Sequence, residues 1–124
     1  MLKRNEMTET IQYTIEWTIK PGGLEAFKEM AESISKLVEE NEPQMKSYQW
    51  YFNEDATKGY TIENHTSSDS LLAHLENVGE VLPKLLVYCD LSRFEVFGNP
   101  TPEAKKALDT LGAKYNGHYT GFER

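Results

Sequence analysis

Between residues 11 and 19 every odd position is large and apolar and every even one is polar. Ile11, Tyr13, Ile15, Trp17 and Ile19 alternate with Gln12, Thr14, Glu16 and Thr18. Only an extended strand, whose successive side chains point to opposite faces, gathers all five on one side. A strand this two-sided belongs to a sheet with one covered face and one open face, not to the centre of a doubly covered parallel sheet. The remaining chain therefore has to supply helices for one face and more two-faced strands.

It does so in order. Pro21-Gly22-Gly23 ends the strand. Leu24, Phe27, Ala31, Ile34 and Val38 then recur at three and four residues, which predicts an amphipathic helix over about 24–40 that Glu42-Pro43 stops. Tyr48, Trp50 and Phe52 alternate with polar neighbours. A polar loop ending at Gly59 leads into Tyr60-Thr61-Ile62-Glu63-Asn64-His65, and the two runs read as a hairpin. Ser67-Ser68-Asp69 offers a cap and a first-turn acid for a second helix, with Leu71, Leu72, Leu75 and Val78 as its apolar stripe. Gly79 interrupts it, and Pro83 fits a fresh helical turn. A last strand spans about 91–97. Thr101-Pro102 then opens a short helix that closes at Gly112.

The order β-α-β-β-α-β is the ferredoxin-like pattern: an α+β fold with a four-stranded antiparallel sheet and helices on one face. A chain of 124 residues is one domain. Residues 1–8 are an N-terminal lead and 9–98 the ferredoxin-like unit. Residues 99–124 form a C-terminal helix and a tail that Tyr115, Tyr119 and Phe122 should dock. Ile11, Tyr13, Ile15, Trp17, Ile19, Tyr48, Trp50, Phe52, Phe94 and Val96 form the greasy face. The opposite face carries Tyr51, Leu91 and Phe97 among polar groups, so a partner is expected there, most simply a second copy closing a dimeric α/β barrel.

Net charge is −7, from 13 basic and 20 acidic residues, and no basic cluster exceeds Lys3-Arg4 or Lys105-Lys106. That argues against nucleic acid and anionic lipid as partners. No apolar run reaches the roughly 18 residues of a membrane span, and the charged start does not lead into a signal peptide. Cys89 is the single cysteine, set in the aliphatic run Leu85-Leu86-Val87-Tyr88, and reads as a buried, inert thiol. A cytoplasmic location is the expectation.

Three features carry a resemblance over about residues 9–97: Trp17 to Phe27, Glu42-Pro43 before the aromatic strand, and Glu63-x-His65 continuing through Thr66-Ser67-Ser68-Asp69 to Ala73-His74. Together they resemble the antibiotic biosynthesis monooxygenase family, a branch of the dimeric α/β-barrel proteins. In that family the last segment reads Glu-x-Trp, a Ser-rich cap, then Ala-His on the helix. The resemblance implies a homodimer and a pocket between sheet and helices. It also implies oxygenation of small aromatic, quinol-like or polyketide-like compounds with no metal, flavin or other cofactor. A related branch opens haem with a strand-one Asn, a hairpin Trp and the helix His. Here His74 matches, but His65 stands at the Trp position and Ile15 at the Asn position, so that trio is not available.

The candidate catalytic groups are His74, His65 and Glu63. Both imidazoles titrate near neutrality and suit proton transfer from a phenol, and Glu63 could orient His65 or act as the base. His65 and His74 could meet across the pocket. Strand alternation favours a different placement, with Glu63 and His65 on the polar sheet face at the dimer seam, because Thr61 shares their side while Tyr60 and Ile62 point the other way. Tyr13, Trp17, Tyr48, Trp50 and Tyr60, with Asn64, are candidates to hold a flat apolar ligand. Core packing uses the same aromatic types. No spacing of His65, His74 and Glu63 is diagnostic of a metal site. Two function classes follow: a cofactor-independent monooxygenase, or a non-catalytic dimeric module that binds a small apolar or aromatic molecule.

Overall fold

The structure, a computed structural model, describes residues 9–124; the lead at 1–8 lies outside the described residues. The alternating segment is β1 (Ile11–Ile19), with Ile11, Tyr13, Ile15 and Trp17 all buried. After it come α1 (Leu24–Asn41), the hairpin β2 (Ser47–Phe52) and β3 (Lys58–His65), and α2 (Ser68–Val78). The chain continues through the single turn α3 (Leu82–Leu85), β4 (Cys89–Phe97), α4 (Pro102–Asp109) and β5 (Lys114–Asn116).

β1 lies at the centre, antiparallel to β3 on one side and to β4 on the other, in the order β2-β3-β1-β4-β5. α1, α2 and α4 share one core with the greasy face, through Phe27, Ile34, Leu71, Ala104 and Leu108. Removing a side chain such as Phe27 or Leu71 from water stabilises the fold by about 1.5–3 kcal/mol, and both are fully buried. The helix starts are written locally. Ser67 accepts the backbone N–H of Ser70, and Thr101 accepts that of Ala104 with Pro102 in the first turn. The backbone N–H of Thr101 also donates to Ser68 Oγ, tying the start of α4 to the start of α2.

The sheet departs from the expected one in two ways. It has five strands among the described residues, and it is mixed, because β5 pairs parallel to β4. Parallel neighbours need a crossover, and α4 supplies it. Tyr115 on β5 is anchored there by its hydroxyl, which donates to the Lys105 carbonyl. The second departure is a bulge. Glu16 pairs with Arg93 but Trp17 pairs with Leu91, so Ser92 is skipped. That extra residue moves Leu91 from the open face to the covered one, where it packs against the core. Cys89 is buried as expected. Its thiol lies 3.5 Å from the Leu85 carbonyl, and burial pushes its pKa up to about 11.

Candidate functional site

Residues directly opposite in an antiparallel pair share a face of the sheet. β1 sets Ile11 opposite His65, Tyr13 opposite Glu63 and Ile15 opposite Thr61. Because the β1 side chains are the floor of the core, their partners are inside too. Thr61, Glu63 and His65 are all buried. The expectation that Glu63 and His65 face a dimer seam is therefore wrong. Alternation within β3 separates its two faces correctly, but the register with β1 decides which face is covered. From the other side α2 presents Leu71, His74 and Val78, buried at helical spacing, so His74 projects onto the sheet above Glu63.

A chain of polar contacts results. His74 Nε2 lies 3.1 Å from Glu63 Oε1, and His65 Nε2 lies 3.5 Å from the same oxygen. On its far side His74 Nδ1 lies 3.0 and 2.9 Å from the two oxygens of Glu42, the residue just after α1. Asn77, one turn along α2, donates to Glu42 Oε2 at 2.8 Å, and Asn41 donates to Asn77 at 3.3 Å. Tyr13 packs its ring 4.9 Å from that of His65, and Tyr48 packs 5.5 Å from His74. The three candidate catalytic residues are thus brought together. Glu42 and Asn77 were not among the candidates: Glu42 reads as a helix stop, and only its place before Pro43 marks it in the sequence.

Burial works against charge on His74, but Glu63's charge and the contacts with Glu42 outweigh it and hold its pKa up at about 9. Burial would likewise raise Glu63. The charge of His74 and the contacts from both imidazoles win and bring it down to about 2. At neutral pH the site holds an imidazolium beside a carboxylate, both out of water. Burial, and then the negative charge of Glu63, raise the Tyr13 hydroxyl well above its ordinary range; burial, Glu63 and Glu42 do the same to Tyr48. Beyond the 3.5 Å approach of His65 Nε2 to Glu63, among the described residues neither ring nitrogen of His65 nor the indole N–H of Trp17 makes a well-formed hydrogen bond. Buried polar groups rarely go unpaired; of these residues Trp17 lines the cleft described next and His65 does not.

The charged groups sit at the inner end of an apolar cleft between sheet and helices. Tyr13, Trp17, Tyr48 and Trp50 line it with Glu63 and His74, and Leu82, Leu91 and Leu111 complete its walls. The cavity is about 40 Å³, which is room for a few waters at roughly 10–15 Å³ each. A larger ligand has to move the walls. Tyr48 and Trp50 also border an open groove of about 960 Å³ between α1 and β2, with Glu42 at its floor. Two expected ligand residues are not in the cleft. Tyr60 and Asn64 occupy the other phase of β3, where the Tyr60 hydroxyl donates to Glu16 and the Asn64 amide to Ser47 on the open face. His65 lies behind Glu63 and does not line the cleft.

No family model matches the sequence, and no curated protein matches it. Solved structures do. MupZ from Pseudomonas fluorescens is 24% identical over 94% of this chain and 95% of its own, with a TM-score of 0.80. Two proteins put forward as antibiotic biosynthesis monooxygenases also superpose. The one from Caulobacter crescentus has a TM-score of 0.68 at 14% identity, covering 81% of this chain and 98% of its own. The one from Chloroflexus aurantiacus has a TM-score of 0.61 at 14% identity, covering 74% and 94%. The chain has the antibiotic biosynthesis monooxygenase-like fold. Within this fold the helix histidine that carried the resemblance, His74, occupies the inner end of the cleft. Among the described residues no group of three or more His, Cys, Asp or Glu is placed to hold a metal ion, and no helix is long and apolar enough to cross a membrane.

Proposed function

We propose that this chain is a cofactor-independent monooxygenase, working as a homodimer on a small aromatic, quinol-like or polyketide-like compound. The observation that carries the reading is the buried His74–Glu63 pair at the inner end of the aromatic cleft. Proteins put forward as antibiotic biosynthesis monooxygenases share the fold and support it by analogy. Once the walls move apart to admit it, Tyr13, Trp17, Tyr48 and Trp50 flank the flat ring, and the His74 imidazolium meets its hydroxyl.

Ionisation follows from the coupling of the two charges. Glu63 is a weak base only while His74 faces it. When His74 turns its charge to the developing substrate oxyanion, burial dominates at Glu63 and its proton affinity rises, so it takes the proton. The electron-rich anion then reacts with molecular oxygen. Counted from the keto tautomer of the substrate, a ring CH2 becomes C=O, one oxygen atom enters the product, and the other leaves as water with the two hydrogens. The substrate supplies the electrons, so the balance closes without a further reductant.

The test is oxygen uptake with hydroquinone- and anthrone-type probes. His74→Gln and Glu63→Gln should each slow turnover about 10²–10⁴-fold, the range of general acid–base contributions. Uptake unaffected by either substitution overturns the mechanism. Tight binding of the probes with no uptake at all moves the chain to the class of non-catalytic small-molecule binders.

A further inference from the structure

In the reaction above His74 must leave Glu63 for the substrate while staying charged, and the far side of its ring shows what makes that feasible. Glu42 faces Nδ1 with both oxygens, at 3.0 and 2.9 Å, and its side chain is only 2% exposed. Its second oxygen is fixed by Asn77, and Asn77 by Asn41. A carboxylate held from two sides against one ring nitrogen sets the plane of the imidazole and dictates that Nδ1 carries a proton. The other nitrogen, Nε2, is then left pointing at Glu63 and the cleft.

We infer that Glu42 is the positioning residue of the site. Clamped by Asn77, it orients the His74 ring and supplies the negative charge that keeps the ring protonated when Glu63 is neutralised. The charge count makes the requirement plain. At rest one imidazolium stands between two carboxylates. Once Glu63 holds the substrate proton, Glu42 is, among the described residues, the remaining carboxylate in contact with His74. The other rings against it are Tyr48 from β2 and His65 from β3, 5.5 and 5.2 Å away between centres, with Tyr13 from β1 lining the same cleft and Asn77 reaching Glu42, and none of these is a carboxylate. The inference rests on the proposed role of His74, but it is testable in the free protein, so the two can fail separately.

The experiment is a pH titration of the His74 ring nitrogens by ¹⁵N NMR, in the substrate-free wild type, Glu42→Gln, Glu42→Asp and Asn77→Ala. Glu42→Gln keeps the shape and loses the charge. It should lower the His74 midpoint by about 1–3 units, and above that midpoint the signals should no longer be those of a ring with Nδ1 alone protonated. Glu42→Asp should recover part of the shift. Asn77→Ala leaves the carboxylate but frees it, and should give a smaller drop with the two ring tautomers mixed. If Glu42→Gln yields no folded protein, Asn77→Ala and Glu42→Asp carry the test. A His74 midpoint and tautomer that stay at wild-type values in the folded variants overturn the inference. Should a turnover assay succeed, Glu42→Gln should move the alkaline limb of the kcat profile to lower pH with KM little changed. If no probe turns over, the NMR result stands on its own.

Discussion

At the scale of single residues the His74–Glu63 pair makes stability depend on pH from both sides. His74 is raised from its ordinary 6.5 to about 9, so folding favours its protonated form. Its contribution is complete below pH 6.5 and is lost as pH rises through 9. Glu63 is lowered from 4.5 to about 2, so its contribution is complete above pH 4.5 and is lost as pH falls toward 2. The two windows overlap between 4.5 and 6.5, and there the wild-type Tm should peak. The difference in Tm between wild type and His74→Gln, followed by calorimetry across the range, should shrink steadily from pH 6.5 to 9; a flat difference would refute the pairing. His74→Ala, which leaves two buried carboxylates facing a hole, should cost about 3–5 kcal/mol near pH 6. All three candidate catalytic residues were legible in the sequence as titratable groups beside a helix cap and a strand end. Their enclosure was not, because alternation within β3 labels two faces without saying which is covered. Glu42 stayed hidden for another reason: its partners, His74 and Asn77, are more than thirty positions away.

Elements tell a similar story with different physics. β1, α1, the hairpin, α2 and α4 are long or punctuated enough to declare themselves through period, cap and breaker. The bulge is written in β4 as a change of phase, with Cys89 and Leu91 inward and then Phe94 and Val96. Counting back from Phe94 by twos puts Leu91 on the wrong face. β5 has three residues, too few for any period, and exists because α4 lays them against β4. The hairpin also holds a tight spot. Gly59 lies opposite Trp17 at the start of β3, where an added Cβ would fall 2.9 Å from Phe27 Cζ and 3.0 Å from Cε1. Gly59→Ala should therefore destabilise by about 1–3 kcal/mol through overpacking, read from urea midpoints at constant slope. Phe27→Leu in the same chain should recover part of that loss, because it removes the ring atoms that clash. If the double variant is no better than the sum of the singles, the contact is not the cause.

For the whole molecule the question is what meets the open sheet face. Tyr51 and Phe97 stand 51% and 41% exposed on it. Its charges are largely paired within the face, Glu16 with Lys58 and Arg93 with Glu95, so it is close to neutral on a chain of net charge −7. Beside it the tail leaves Tyr119 and Phe122 at 94% and 76% exposure, and tail residues join Gln12, Asn64 and Phe97 around a groove of about 370 Å³. A neutral, half-apolar face flanked by exposed aromatics suits a second copy of the same surface, whose two-fold symmetry would satisfy both faces at once. Sedimentation equilibrium should accordingly give two chains per particle, with a Tm that rises with protein concentration. Phe97→Asp would set like charges against each other at the seam and should yield monomers that keep their helical circular dichroism. Removing residues 117–124 should weaken the dimer while the NMR signature of the His74–Glu63 pair persists, because that pair is built within one chain. A wild type that stays monomeric at every concentration would refute the dimer but leave the cleft and its buried charges as they are.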